Sequence, residues 1–165
     1  MKTITNSYIP FAAGLPSLII IDGLLSHNKK ITYNALELYA SGMTNWLVTF
    51  ALKRTIDRDR PYQKYSFIQP YKYYNTYSFP SGHTSAAFAV ATTLSLQYKR
   101  WYVVVPAYTW AALVGYSRMH LGVHYPSDVL GGIIVGAGSS YLCYRLRKII
   151  ETNHHKKIEK KQVLN

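Results

Sequence analysis

Cysteine is nearly absent: Cys143 stands alone in a chain of 165 residues. That excludes an intrachain disulfide framework and any metal site built from several thiolates. Acidic side chains are scarce too, seven Asp and Glu against nineteen Lys and Arg. Charged residues make up 16% of the chain, below the roughly 25% of an average soluble domain. There is no internal repeat, and no biased tract apart from the C-terminal end. No clear signal peptide is visible, since the apolar stretch 11–25 is interrupted by Pro16 and Asp22 and preceded by Lys2 alone.

What is present is apolar and basic. Hydrophobic residues reach 48%, Tyr occurs 16 times, and the net charge is +12. Such a charge suits nucleic acid, a membrane surface or phosphorylated substrates. The length fits one domain with one core. We place that domain at 1–150 and read 151–165 as a basic, polar, solvated tail.

Five apolar segments run from Ile9 to Leu25, Tyr33 to Leu52, Thr84 to Tyr98, Tyr102 to Tyr116 and Val129 to Tyr144. Their length and periodicity favour helices over strands. The third and fifth are rich in small residues, which let membrane helices pack closely. A span needs about 20 apolar residues, within roughly 17–25. Several segments are marginal by that measure and two carry an acid, so a soluble bundle is the competing reading. Charge placement favours the membrane. If the helices alternate in direction, Asn28–Lys30, Lys99–Arg100 and the tail from Arg145 fall on one side, with more than half of the Lys and Arg residues. This is the positive-inside pattern. The same alternation gathers residues 53–82 and 117–128 at the opposite end. The expected fold is therefore an all-α, antiparallel transmembrane bundle of about five long helices with its site at one end.

Three polar clusters meet there. The first, Lys53-Arg54-Thr55-Ile56-Asp57-Arg58-Asp59-Arg60-Pro61, reads either as a snorkelling helix end with local ion pairs or as Arg and Lys gripping an oxyanion. The second, Pro80-Ser81-Gly82-His83, opens a helix. Ser81 suits the cap, the free N–H groups suit a phosphate, and Gly82 lets an anion approach the backbone. The alternative is an ordinary capped helix with an incidental His83. The third runs from Ser117 to Asp128. Asp128 suits a first helical turn in any protein, yet it can also hold the His124 imidazole in one tautomer, which makes His124 a candidate nucleophile. Arg118 adds a further phosphate grip. His120 and His124, four apart, also fit a metal pair. A third ligand would have to be Asp128, and the neighbouring cations would repel a metal.

These clusters resemble the three motifs of the type 2 phosphatidic acid phosphatase superfamily, Lys-x6-Arg-Pro, Pro-Ser-Gly-His and Ser-Arg-x5-His-x3-Asp. Here they read Lys53…Arg60-Pro61, Pro80-Ser81-Gly82-His83 and Ser117-Arg118…His124…Asp128. The resemblance implies a helical bundle and a phosphatase that needs no metal or other cofactor. By the same resemblance His124 attacks phosphorus, Asp128 orients it and His83 protonates the leaving oxygen. Lys53, Arg60, Ser81, Gly82 and Arg118 hold the phosphate. In membrane members the site faces away from the cytoplasm, here implying a bacterial inner membrane. Those members usually have six spans, against five in this chain.

The stretch Tyr62–Phe79 holds six Tyr and two Phe among polar neighbours. It reads as an interfacial aromatic belt or as a lid over a lipid substrate. Either points to a lipid phosphate or polyprenyl diphosphate such as undecaprenyl diphosphate. Three rivals carry other expectations: a soluble-type acid phosphatase for small phosphomonoesters, a vanadate-dependent peroxidase, and a nucleic-acid binder. The cations form no continuous stripe, so no nucleic-acid partner is expected.

Overall fold

The computed structural model describes residues 1–163, with side chains described through residue 154. The N-terminal element begins with α1 (Lys2–Asn6), passes through one π-helical stretch (Pro10–Gly14) and continues as α2 (Leu15–Leu25). Then follow α3 (Lys29–Ile56), the short α4 (Pro61–Lys64), α5 (Gly82–Tyr98), α6 (Trp101–His120) and α7 (Pro126–Val163). Counting α1 to α2 as one rod gives the five long helices expected from the apolar segments.

The bounds differ from expectation in ways that matter. The first rod starts at Lys2, not Ile9. Helix α3 runs to Ile56, where Asp57 turns left-handed at φ 48°, so Lys53 lies within the last turn of the helix rather than at its end. Helix α6 runs to His120, so Arg118 is helical too. Helix α7 continues unbroken to Val163, so the backbone of the expected tail is helical as far as that residue. The polar character expected of side chains 155–165 lies outside the described residues.

Turns are tight on one side. Asn28 Oδ1 accepts from Lys30 N at 3.1 Å and Ile31 N at 3.4 Å, capping α3. Lys99 (φ 48°) and Arg100 alone join α5 to α6. The longer connections, 57–81 and 121–125, lie at the other end, where the N-terminal rod also begins.

Helix α5 is the central rod and packs on α3, α6 and α7. Its small residues, Ser85, Ala87, Ala89 and Ala91, are buried. On α7, a Cβ at Gly132 would sit 2.8 Å from the Ser81 carbonyl oxygen, and one at Gly136 would overlap the Ser85 carbonyl oxygen. Only hydrogen at these positions allows the two backbones to touch. The bundle's outer faces carry exposed Leu18, Ile21, Met43, Trp46, Phe50, Leu113 and Ile134. So much outward apolar surface is a solvent preference for lipid. Lys2–Leu25 and Pro126–His154 are each long and apolar enough to cross a bilayer.

Candidate active site

All eight residues singled out from the sequence converge at the end opposite the tight turns. Arg60 caps the single turn of α4, its N–H donating to Gln63 Oε1 at 2.8 Å ahead of Pro61. Its guanidinium donates through Nε to Thr76 O at 2.8 Å and through Nη2 to Thr76 Oγ1 at 3.0 Å. Nη1 donates to Val123 O at 2.9 Å and lies 3.2 Å from His124 Nε2.

That last contact fixes the tautomer. A guanidinium can only donate, so Nε2 of His124 accepts and the ring proton sits on Nδ1. Nδ1 faces Asp128 Oδ2 at 3.4 Å and Ser78 Oγ at 3.4 Å. The carboxylate is held in place by Ser78 Oγ at 2.5 Å, Tyr125 N at 2.8 Å and Arg58 Nη1 at 2.8 Å. Gly122, at φ 68°, makes the sharp turn that brings His124 back over the helix ends. His124 is 4% exposed. Burial pushes its pKa down to about 4, and the positive charges of Arg60, Arg118 and Lys53 push the same way; the hydrogen bond to Asp128 opposes them and loses. Near neutrality His124 is therefore an uncharged imidazole with its free lone pair on Nε2.

Ser81 heads α5, its N–H bonded to Asp128 O at 2.9 Å. The expected cap differs in detail: the Ser81 hydroxyl caps no N–H and instead accepts from Thr84 Oγ1 at 2.9 Å. The first-turn N–H groups of α5 have no intrahelical acceptor. A Cβ at Gly82 would meet only Thr49 Cγ2, at 3.8 Å, so protein packing does not require that glycine. His83 packs on the Tyr8 ring at 4.1 Å between centroids and on the edge of Tyr74 at 6.4 Å. Lys53 Nζ donates to Tyr77 O at 2.6 Å.

Arg118 is fully buried, and among the described residues only its Nη1 has a partner, Thr5 Oγ1 at 2.7 Å, while Nε and Nη2 have none. Arg60 and Arg118 stand over the same Tyr74 ring, at 4.6 and 5.3 Å. Two buried guanidiniums and Lys53 thus share one pocket with a single carboxylate that Arg58 already pairs. A buried charge without a counter-ion is costly. Cations gathered in this way attract an anion.

Several partners escaped the sequence reading. Local ion pairs were expected from Asp57 and Asp59; among the described residues neither makes one, and Arg58 pairs across 70 positions with Asp128. Thr5 and Tyr8, from the N-terminal rod, and Tyr74 and Ser78, from the aromatic stretch, also line the site. His120, weighed from the sequence only as the weaker metal-pair alternative with His124, ends α6 exposed and stacked on Tyr116. Among the described residues no three His, Cys, Asp or Glu side chains cluster as metal ligands do.

Residues 34–150 match the model of the PAP2 superfamily. The chain belongs to that superfamily. It is 34% identical over 131 residues to phosphatidylglycerophosphatase B of Bacillus subtilis, covering 74% of this chain and 62% of that protein. An undecaprenyl-diphosphatase of Sulfolobus acidocaldarius is 39% identical over 83 residues, covering 50% and 38%. The fold matches the crystal structure of a transmembrane PAP2-type phosphatidylglycerolphosphate phosphatase from Bacillus subtilis. There the TM-score is 0.69 at 31% identity, with 90% of this chain and 77% of that one covered. The chain thus spans less than two thirds of the length of these two curated relatives. Its exposed apolar faces and its kinship to transmembrane phosphatases together make it an integral membrane protein.

Proposed function

We propose that this PAP2 protein is a phosphatase that hydrolyses a lipid phosphate or polyprenyl diphosphate through a phosphohistidine, without a metal. The observation that carries the reading is the guanidinium of Arg118, buried beside Arg60 and Lys53 with Nε and Nη2 unpartnered among the described residues. Phosphoryl transfer asks mainly for positioning and charge neutralisation. Three cations and the N-terminus of α5 supply both, which is work a metal does elsewhere.

In the first step a phosphate oxygen takes the Arg60 Nη1 donor away from His124, and Nε2 attacks phosphorus. The N–P bond forms as the P–O bond to the leaving group breaks. His83 gives that oxygen its proton. Asp128 accepts from Nδ1–H and stabilises the positive charge that develops on the ring. In the second step water attacks phosphorus, His83 takes its proton, the N–P bond breaks and inorganic phosphate leaves. Ser81, Gly82, Lys53, Arg60 and Arg118 hold the phosphoryl oxygens throughout.

The basic residues at 29–30, 99–100 and 145–148 lie at the end away from the site. By the positive-inside rule that end faces the cytoplasm. The reading therefore puts the site on the outer face of a bacterial inner membrane, within reach of headgroups.

The test is phosphate release by detergent-purified protein in EDTA, from a polyprenyl diphosphate, a phosphatidylglycerophosphate and an aryl phosphate. Lipid turnover is expected, and His124→Ala should abolish it while the protein stays folded. Retained activity in that variant would overturn the nucleophile. Loss of activity in EDTA would overturn metal independence, and preference for the aryl phosphate would overturn the lipid assignment.

A further inference from the structure

The two histidines of the site are held in different ways. His124 has Arg60 at one ring nitrogen, and Asp128 and Ser78 at the other. His83 is half-buried, and among the described residues neither of its ring nitrogens has a hydrogen-bond partner. The last torsion of a histidine is broad, so an imidazole without hydrogen bonds takes the orientation that its neighbours leave open. Two tyrosines are those neighbours. Tyr8 lies against the ring at 4.1 Å between centroids, tilted by 50°. Tyr74 meets it edge-on at 6.4 Å, with the planes 82° apart. Tilted and edge arrangements at such separations are the favoured ones for aromatic pairs.

Both tyrosines are themselves fastened. The Tyr62 hydroxyl donates to Tyr74 O at 3.2 Å and accepts from Tyr74 N at 3.0 Å. Tyr8 comes three residues after Thr5, so the two share a face of the rod, and Thr5 is tied to Arg118 at 2.7 Å. On the adjoining face Trp110 Nε1 donates to Ser7 Oγ at 2.9 Å, and the Trp110 ring packs on Phe11 at 4.8 Å. Ties to α6 on both sides of Tyr8 therefore press its ring onto His83. The Tyr8 hydroxyl has no hydrogen-bond partner among the described residues, so what this residue brings to the site is its ring.

A ring contact suits the task proposed for His83, which gives a proton to the leaving oxygen in one step and takes one from water in the next. A hydrogen-bonding group fixed on the far nitrogen would hold one tautomer, as Asp128 does for His124. An aromatic neighbour holds the imidazole plane and leaves both nitrogens free to exchange protons. The acid must also come within about 2.6–3.2 Å of the oxygen it protonates, and a ring free to swing is seldom there. Resting on the phosphatase reading above, we infer that Tyr8 is the positioning residue of the acid: its ring holds the His83 imidazole in the plane from which it protonates the leaving oxygen.

The test uses leaving groups, because a poor leaving group needs its proton while the P–O bond breaks and a good one does not. The full detergent-solubilised chain is given a phosphatidate, which leaves as an alcohol, and a series of aryl phosphates from methoxyphenyl to nitrophenyl. The readout is kcat/KM, which reports the steps through P–O cleavage. Tyr8→Leu should lose about tenfold on the phosphatidate, part of the roughly 10²–10⁴ that an acid contributes. The loss should shrink steadily toward the nitrophenyl ester. Tyr8→Met, a second apolar replacement, should follow the same trend, and His83→Ala should follow it more steeply. Tyr8→Phe keeps the ring and should keep the trend of the unaltered chain. With His83 already replaced by Ala, Tyr8→Leu should cost nothing further on any substrate. An equal loss over all leaving groups, or an additive loss in the His83→Ala background, makes Tyr8 a packing residue and overturns the inference. Tyr8→Phe falling as far as Tyr8→Leu overturns it too, since the hydroxyl would then be the acting group. Two other results strike the reading beneath it instead. An unaltered trend in His83→Ala removes His83 as the acid, and no phosphate release by the unaltered chain removes the phosphatase.

Discussion

Arg118 donates from Nη1 to Thr5 Oγ1 at 2.7 Å, joining α6 to the first turn of the chain across 113 positions. The bond holds one edge of the guanidinium against the N-terminal rod. Nε and Nη2 are left without partners among the described residues. Thr5 therefore acts through Arg118 and is a positioning residue. Thr5→Ala should lower kcat/KM about tenfold, the worth of a hydrogen bond to a charged group, and should weaken inhibition by inorganic phosphate. Thr5→Ser restores the hydroxyl and should restore both. Unchanged phosphate inhibition in Thr5→Ala would mean that Arg118 is aimed by packing alone.

Asp128 is held by three donors, and only one of them, Arg58, is exposed enough to lose its neighbour without collapse. In Arg58→Ala the carboxylate keeps the Ser78 and Tyr125 bonds and stays aimed at His124. The expected loss in kcat is about tenfold or less, since one half-exposed ion pair contributes little. Asp128→Asn is a different change. Its amide has one oxygen where the carboxylate has two and no charge to stabilise the imidazolium that forms, a change that in comparable triads costs on the order of 10⁴ in kcat. Saturating kinetics on the two variants check the ranking; equal losses would make Arg58 part of the reacting machinery.

Much of this is legible in the sequence. Apolar runs at helical period gave five rods, and alternation alone brought Lys53, His83 and His124 to one end, because short turns leave helices little choice of direction. The contacts of Thr5, Tyr8 and Arg58 were not legible. Each is a single long-range pairing, and no period or spacing in a sequence encodes which Thr meets which Arg. Tyr74 was hidden for a different reason: it is one of six Tyr in Tyr62–Phe79, and only its place under Arg60 and Arg118 separates it from the others. Helices α3 and α6 outrun their apolar segments, which stop at Leu52 and Tyr116, by about a turn, because the apolar pattern stops at the membrane edge while the hydrogen-bonded helix continues.

The depressed pKa of His124 has a definite sign. Burial and three cations hold it at about 4, below the ordinary value near 6.5. The unfolded chain thus takes up this proton before the folded one as pH falls. Stability contributed by the neutral ring is present above about 6.5 and is lost as pH drops from there toward 4. Nitrogen chemical shifts of His124 in labelled, detergent-solubilised protein should show a neutral Nδ1–H tautomer at pH 6, with titration near 4. A midpoint near 6.5 would show that the ring is solvated and that the cations do not reach it.

Gly136 and Gly138 lie two residues apart on α7 and should respond in opposite senses. A Cβ at Gly136 would overlap the Ser85 carbonyl oxygen and come within 2.9 Å of Ala89 N, both of them α5 backbone atoms that cannot turn aside. Gly136→Ala must therefore push α7 from α5. Overpacking of that kind costs about 1–3 kcal/mol, more than the roughly 0.5–1 kcal/mol that alanine returns in helix stability. At Gly138 nothing lies within 4 Å, so only the helix term remains. Thermal midpoints in one detergent should fall for Gly136→Ala and hold or rise for Gly138→Ala. The separation also has a chemical consequence, because the Ser81 N–H bonds Asp128 O across this same seam. Moving the helices apart shifts the start of α5, proposed above to hold the phosphate, away from His124, so Gly136→Ala should lose kcat even at temperatures where it remains fully folded. A Gly136→Ala variant with wild-type melting and turnover would mean that the seam between α5 and α7 is looser than these contacts require.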